Sequence, residues 1–218
     1  MIVLIGGEKG GTGKTTLVTN IAALRALQGH DVLIIDTDSQ ASASFWAATR
    51  DDLTSPPRVA CVQKFGKGLA KEVKDLANRY EDIIIDAGGR DSIELRAAMV
   101  VADYMFAPVQ ASQFDVWTLA QLDDLVRQAQ AVNGTLKASI VINRASTHPG
   151  VTEASDAASL LDDFESLFNS GVIIRDRIAY RKAASQGLCV GELKPQDRKA
   201  LAEIHSLYKA IYHVQVES

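Results

Sequence analysis

The sequence is short of the features that define several large protein classes. Its 218 residues hold two cysteines, Cys61 and Cys189, and neither stands in a C-x-x-C pair, so a disulfide framework and a cysteine-ligated zinc site have no support. No apolar run approaches the length of a membrane span. The chain enters a strand-like run at Ile2, which leaves no room ahead of it for a signal peptide or a helix-turn-helix, so a cytoplasmic protein is expected. An excess of positive charge is also missing. Net charge is −4 and the sequence pI is near 5.6, so any nucleic-acid contact must come from a local patch. With 47% hydrophobic and 23% charged residues the chain reads as folded and globular, and its length suits one domain over residues 1–218.

What is present starts with Glu8-Lys9-Gly10-Gly11-Thr12-Gly13-Lys14-Thr15-Thr16. Before it lies the apolar run Ile2 to Ile5, a buried-strand pattern, and after it an apolar-periodic helical segment from Leu17 to Leu27. Strand, glycine turn and helix form the context that a phosphate-binding loop requires. Glycines at 10, 11 and 13 let backbone N–H groups turn inward around an anion, with Thr12 and Thr16 in the same cradle, and the helix start adds partial positive charge. Lys14 is then the mobile cation for the β- and γ-phosphates of ATP, and the Thr15 hydroxyl a ligand for Mg²⁺.

Two further acids end apolar runs. Asp31 to Asp36 reads as a strand, with Asp36-Thr37-Asp38-Ser39-Gln40 at its carboxyl end, the edge where ligands bind in open α/β sheets. Tyr80 to Asp86 repeats the pattern and is followed by Gly88-Gly89, as in a Walker B strand whose carboxylate reaches Mg²⁺ through water. Each acid has a plainer reading as a helix N-cap, with Asp36 or Asp38 capping a helix over Ala41 to Ala48.

Glu8 occupies the first glycine position of the ordinary G-x-x-x-x-G-K-[ST] motif, and K-G-G-x-G-K-T-T resembles the deviant Walker A motif of the ParA/MinD family of P-loop ATPases. D-x-D-x-Q resembles that family's second motif, and the resemblance extends over essentially the whole chain. It implies that Lys9 crosses a dimer interface to the partner's ATP, that Asp36 and Asp86 support Mg²⁺ with Thr15, and that Asp38 orients the attacking water. It also implies that Gly88-Gly89 senses the γ-phosphate and that Asn143 hydrogen-bonds adenine, against which stands a plain turn asparagine. The implied fold is α/β, a doubly wound, mainly parallel sheet with helices on both faces.

The same resemblance implies an ATPase that forms a homodimer when ATP-bound, binds DNA non-specifically on the nucleoid, and partitions a plasmid or chromosome with a ParB-like centromere-binding partner. The densest cationic segment, Arg175, Arg177, Arg181 and Lys182, is the candidate DNA surface, against the plainer reading of a solvated turn. A MinD-like membrane-cycling regulator would need a basic amphipathic C-terminal helix, whereas Ile204 to Ser218 carries one lysine, so no membrane contact is expected. Other cargo-positioning or conjugation accessory ATPases remain as alternatives. Elsewhere the pattern predicts a surface loop from Arg50 to Pro57, a helix over Val151 to Phe168, a short last strand over Gly171 to Ile174 and a last helix ending at Tyr212.

Overall fold

The computed structural model describes residues 1–89, 91–110, 116–148, 161 and 164–212. Among them seven strands form one parallel sheet: β1 (Ile2–Ile5), β2 (Val32–Asp36), β3 (Ala60–Gln63), β4 (Asp82–Asp86), β5 (Tyr104–Gln110), β6 (Lys137–Ala145) and β7 (Leu167–Arg175). Their order is β3-β2-β4-β1-β5-β6-β7, so the chain winds outward from β1 in both directions. Helices α1 (Lys14–Leu27), α2 (Ser42–Asp51), α3 (Leu69–Leu76), α4 (Ile93–Met99), α5 (Val116–Gln130), α6 (Ile178–Ala184) and α7 (Arg198–Tyr212) cover the two faces.

Strands buried on both faces must be apolar at every position, and alternation then sorts the side chains into two cores. Val3, Ile5, Ile34 and Ile84 pack with α1, α2, α6 and α7, while Leu4, Leu33, Ile35, Ile83 and Ile85 pack with α3, α4 and α5. The doubly wound α/β architecture is as expected. Helix α1 stops at Gln28, and Gly29 takes the left-handed φ of 88° that a helix-ending glycine supplies.

Two expectations are corrected. Arg50 is not the start of a surface loop: α2 runs on to Asp51, and the Arg50 side chain is fully buried, bound to Glu192. The last strand is longer than Gly171 to Ile174, because Leu167 and Phe168, expected in a helix, open β7; Asn169, Ser170 and Gly171 hide the strand pattern. The Ser170 hydroxyl donates to the Ile140 carbonyl and Gly171 N to Asn169 Oδ1, at a break in the β6–β7 register. The expected helix from Val151 otherwise falls almost entirely outside the described residues. The cap reading divides between its two candidates. The N-cap position of α2 is Ala41, at φ 56°, and the carboxylate that serves the helix is Asp36, which accepts from Ser44 N at 3.0 Å.

Candidate functional site

The glycine loop leaves β1 and turns through left-handed φ at Gly11 (75°) and Gly13 (89°), which only glycine adopts without strain. Helix α1 then starts at Lys14 with no side-chain cap and no acid in its first turn. Its leading N–H groups are therefore available to an anion. Lys14 is buried and donates from Nζ to the Lys9 carbonyl at 2.7 Å. Burial lowers its pKa, and the nearby Asp86 and Asp38 carboxylates pull it back up.

Parallel pairing sets Asp36 and Asp86 side by side at the tips of β2 and β4. Thr15 Oγ1 donates to Asp86 Oδ2 at 2.7 Å. Burial pushes the Asp86 carboxyl up to about 7; the Thr15 bond opposes this and Asp36 adds to it. Asp86 Oδ1 is buried with no hydrogen-bond partner among the described residues. A buried carboxylate oxygen left over beside a threonine hydroxyl and a second acid fits a small oxygen-seeking dication such as Mg²⁺. Asp36 is itself tied down: Oδ2 accepts from the amide and hydroxyl of Ser44 and Oδ1 from Asp38 N.

Asp38 accepts from Gln40 N at 2.9 Å, an Asx turn rather than a helix cap. It faces a cavity of about 560 Å³ together with Gly10, Gly88, Gly89, Ser92 and Glu94. A Cβ on Gly89 would stand 2.6 Å from Gly10 Cα, so the segment after β4 lies directly on the glycine loop. Lys9 is half-buried at the loop's start.

Asn143 is inside β6 rather than in a turn. It is buried and donates from Nδ2 to the Thr12 carbonyl at 2.6 Å, and a Cβ on Gly13 would collide with that nitrogen at 2.5 Å. One N–H of the amide expected at the adenine thus braces the loop from behind.

The cationic segment is divided. Arg175 and Arg177 both bond the Glu203 carboxylate of α7, at 3.2 and 2.7 Å, whereas Arg181 stands 3.6 Å from Asp176 and, like Lys182, is exposed on α6. Sequence reasoning missed Glu203 and Ser44. Nothing in the spacing marks Glu203, while a serine two residues into a helix that follows a strand-end acid is a usable signal for Ser44.

A family model described as the CobQ/CobB/MinD/ParA nucleotide-binding domain matches residues 3–190. The maintenance of carboxysome distribution protein A of Halothiobacillus neapolitanus is 26% identical over 207 residues, covering 93% of this chain and 92% of that one. Two solved structures share the fold. A putative plasmid partition protein from Borrelia burgdorferi bound to AMPPNP has a TM-score of 0.70 at 17% identity, covering 99% of this chain and 98% of that one. The septum site-determining protein MinD of Pyrococcus horikoshii with Mg-ADP has a TM-score of 0.72 at 16% identity, covering 100% and 98%.

Proposed function

Because the chain belongs to the CobQ/CobB/MinD/ParA nucleotide-binding family, we propose that it is an ATP-driven switch whose ATP-bound homodimer holds DNA and positions a cargo. The carrying observation is the contact of Gly89 with Gly10, which ties the segment after β4 to the loop that would hold the phosphates. A phosphate seated in the glycine loop would lie beside that segment, so its arrival or loss can shift it, and such motion is what a switch needs.

In this reading, backbone N–H groups from Gly10 to Thr16 hold the phosphates of ATP, and Lys14 swings from the Lys9 carbonyl onto them. Thr15 and Asp86, with Asp36 behind them, would hold Mg²⁺, which when bound neutralises phosphate charge. Asp38, one oxygen occupied by Gln40 N, orients water for hydrolysis. Lys9 completes the partner subunit's site, so loss of the γ-phosphate loosens the dimer.

Since Glu203 holds Arg175 and Arg177, the DNA contact falls mainly to Arg181 and Lys182, two cations per subunit and four per dimer. Four neutralised phosphates give a slope of log K against log salt of about −4. The stimulating partner is a cargo-bound protein, ParB-like if the cargo is a plasmid. The carboxysome-distribution relative favours a second cargo class, a protein assembly.

The test uses Asp38→Ala, which should bind ATP without turning it over, in a mobility-shift assay on unrelated duplexes across a salt series. The expected result is a shift with ATP and not with ADP, at that slope. Absence of a shift under every nucleotide condition removes DNA as the anchoring surface.

A further inference from the structure

A loop that receives phosphates must point N–H groups at them, and where those groups point depends on where its carbonyls are held. The C=O of one residue and the N–H of the next lie in one plane and point opposite ways, so a donor that holds a carbonyl outward aims the following N–H inward. Donors hold the carbonyls of Lys9, Gly11 and Thr12. Lys14 Nζ reaches the first at 2.7 Å, Gln110 Nε2 the second at 3.0 Å, and Asn143 Nδ2 the third at 2.6 Å. Gln110 and Asn143 stand opposite one another in the β5–β6 register, so two neighbouring strand tips take hold of consecutive carbonyls.

Gly11 needs such a hold more than its neighbours do. It is exposed, its φ is 75°, and a Cβ there would meet nothing within 4 Å, so no packing keeps the Gly11–Thr12 peptide from turning over. A glycine puts little barrier of its own in the way. Gly13 differs, because the Asn143 amide lies where its Cβ would be. In the switch reading Lys14 leaves the Lys9 carbonyl when it swings onto the phosphates, so that brace is given up on binding. The brace from Gln110 is not.

Resting on the nucleotide-binding reading, we propose that Gln110 is a positioning residue for phosphate binding: its carboxamide fixes the Gly11–Thr12 peptide so that the Thr12 N–H faces the phosphates before they arrive. Gln110 acts through the loop and touches no part of the nucleotide. A carbonyl can only accept, so the nitrogen of the Gln110 amide must face Gly11, and a side chain without an N–H cannot replace it. Asn143 has a second N–H and an Oδ1 beyond its bond to Thr12, so substitutions there would mix two effects. Gln110 isolates the brace.

Calorimetric titration with Mg-ATP and with inorganic tripolyphosphate tests this on wild type, Gln110→Ala and Gln110→Leu, together with NMR order parameters of the backbone amides in the unliganded proteins. Both variants should bind both ligands more weakly by the same factor, about twofold to tenfold, the weight of one neutral hydrogen bond. The Thr12 amide should lose order in the variants, while the Gly13 amide, still held through Asn143, should not. Unliganded melting points should stay within about 4 °C of wild type. Unchanged affinity overturns the proposal. Weaker ATP with unchanged tripolyphosphate makes Gln110 a nucleoside contact, and equal weakening with the Thr12 amide as ordered as in wild type makes it a direct phosphate contact; either overturns the proposal, as does a larger fall in melting point in both variants, which makes Gln110 a fold contact. Wild type binding neither ligand would overturn the nucleotide site itself, and this proposal with it.

Discussion

Replacing Arg50 with methionine should cost this protein a large part of its stability although Arg50 is outside the nucleotide site. The side chain is fully buried, and every donor it uses has a named acceptor. Nε reaches the Pro57 carbonyl, Nη1 the Gly187 carbonyl and Glu192, and Nη2 the second Glu192 oxygen, all at 2.9–3.0 Å. The guanidinium carbon also lies 5.3 Å from the centroid of the Trp46 ring. Methionine fills the volume and supplies none of these donors. Glu192, only 11% exposed, keeps the Cys189 amide alone, and two carbonyls lose a partner.

Breaking a buried pair from one side costs about 3–5 kcal/mol. At ~2–4 °C per kcal/mol for a chain of this size, the melting midpoint should fall by roughly 6–20 °C at neutral pH. Acid should shrink the difference. Burial pushes the Glu192 carboxyl up, but its bonds to Arg50 and Cys189 N outweigh that and leave its pKa below the usual 4.5. A depressed carboxylate contributes stability that is present above the ordinary value and lost as pH falls through the folded one. The wild type should lose that contribution from about pH 4.5 downward and Arg50→Met should not, so the melting curves converge there. Circular-dichroism melts over a pH series read both effects. A neutral-pH drop below about 2 °C, or a difference that does not change in acid, would refute the reasoning.

Three other outcomes bear on the site. Gly89→Ala places a methyl group 2.6 Å from Gly10 Cα, so the loop or the segment after β4 must move; titration with a fluorescent ATP analogue should show at least about tenfold weaker binding, and wild-type affinity would mean the contact is dispensable. Lys14→Ala should abolish binding in the same titration, while Lys9→Ala should bind normally yet fail to form an ATP-dependent dimer by light scattering; a normal dimer would remove the trans role of Lys9.

The parts of this molecule legible in the sequence are those in which one local physical demand dictates residue type. Strands buried on both faces had to be apolar throughout, so VLIID and DIIID declared themselves, and an acid ending each could only sit at the sheet's ligand edge. The glycine loop was legible because left-handed turns and close approach exclude side chains. What stayed hidden depends on contacts far along the chain. Arg50 reads as polar and loop-like until Glu192 comes to it from 142 positions away. Arg175 and Arg177 read as free charge until Glu203 reaches back across the α6 segment to hold them. Asn143 reads as a candidate base contact, and its bond to the Thr12 carbonyl is visible only once the fold brings Thr12 to it. In each case the deciding group is a polar partner brought in by the fold, and hydrophobic periodicity says nothing about it.

The side-by-side tips of β2 and β4 have a mechanical consequence. Asp36 and Asp86 are opposite one another because two hydrogen-bonded strands share a register, and a slip of one residue would turn Asp36 to the other face of the sheet. Their spacing is therefore set by a ladder inside the most deeply buried part of the molecule, while Asp38 and Gly89 stand a few residues beyond the ladder, outside that pairing. On the proposed switch reading the two acids are the fixed jaw of the site. Their alignment would persist through a nucleotide cycle, and any change of geometry would fall on the two short segments that leave the strands.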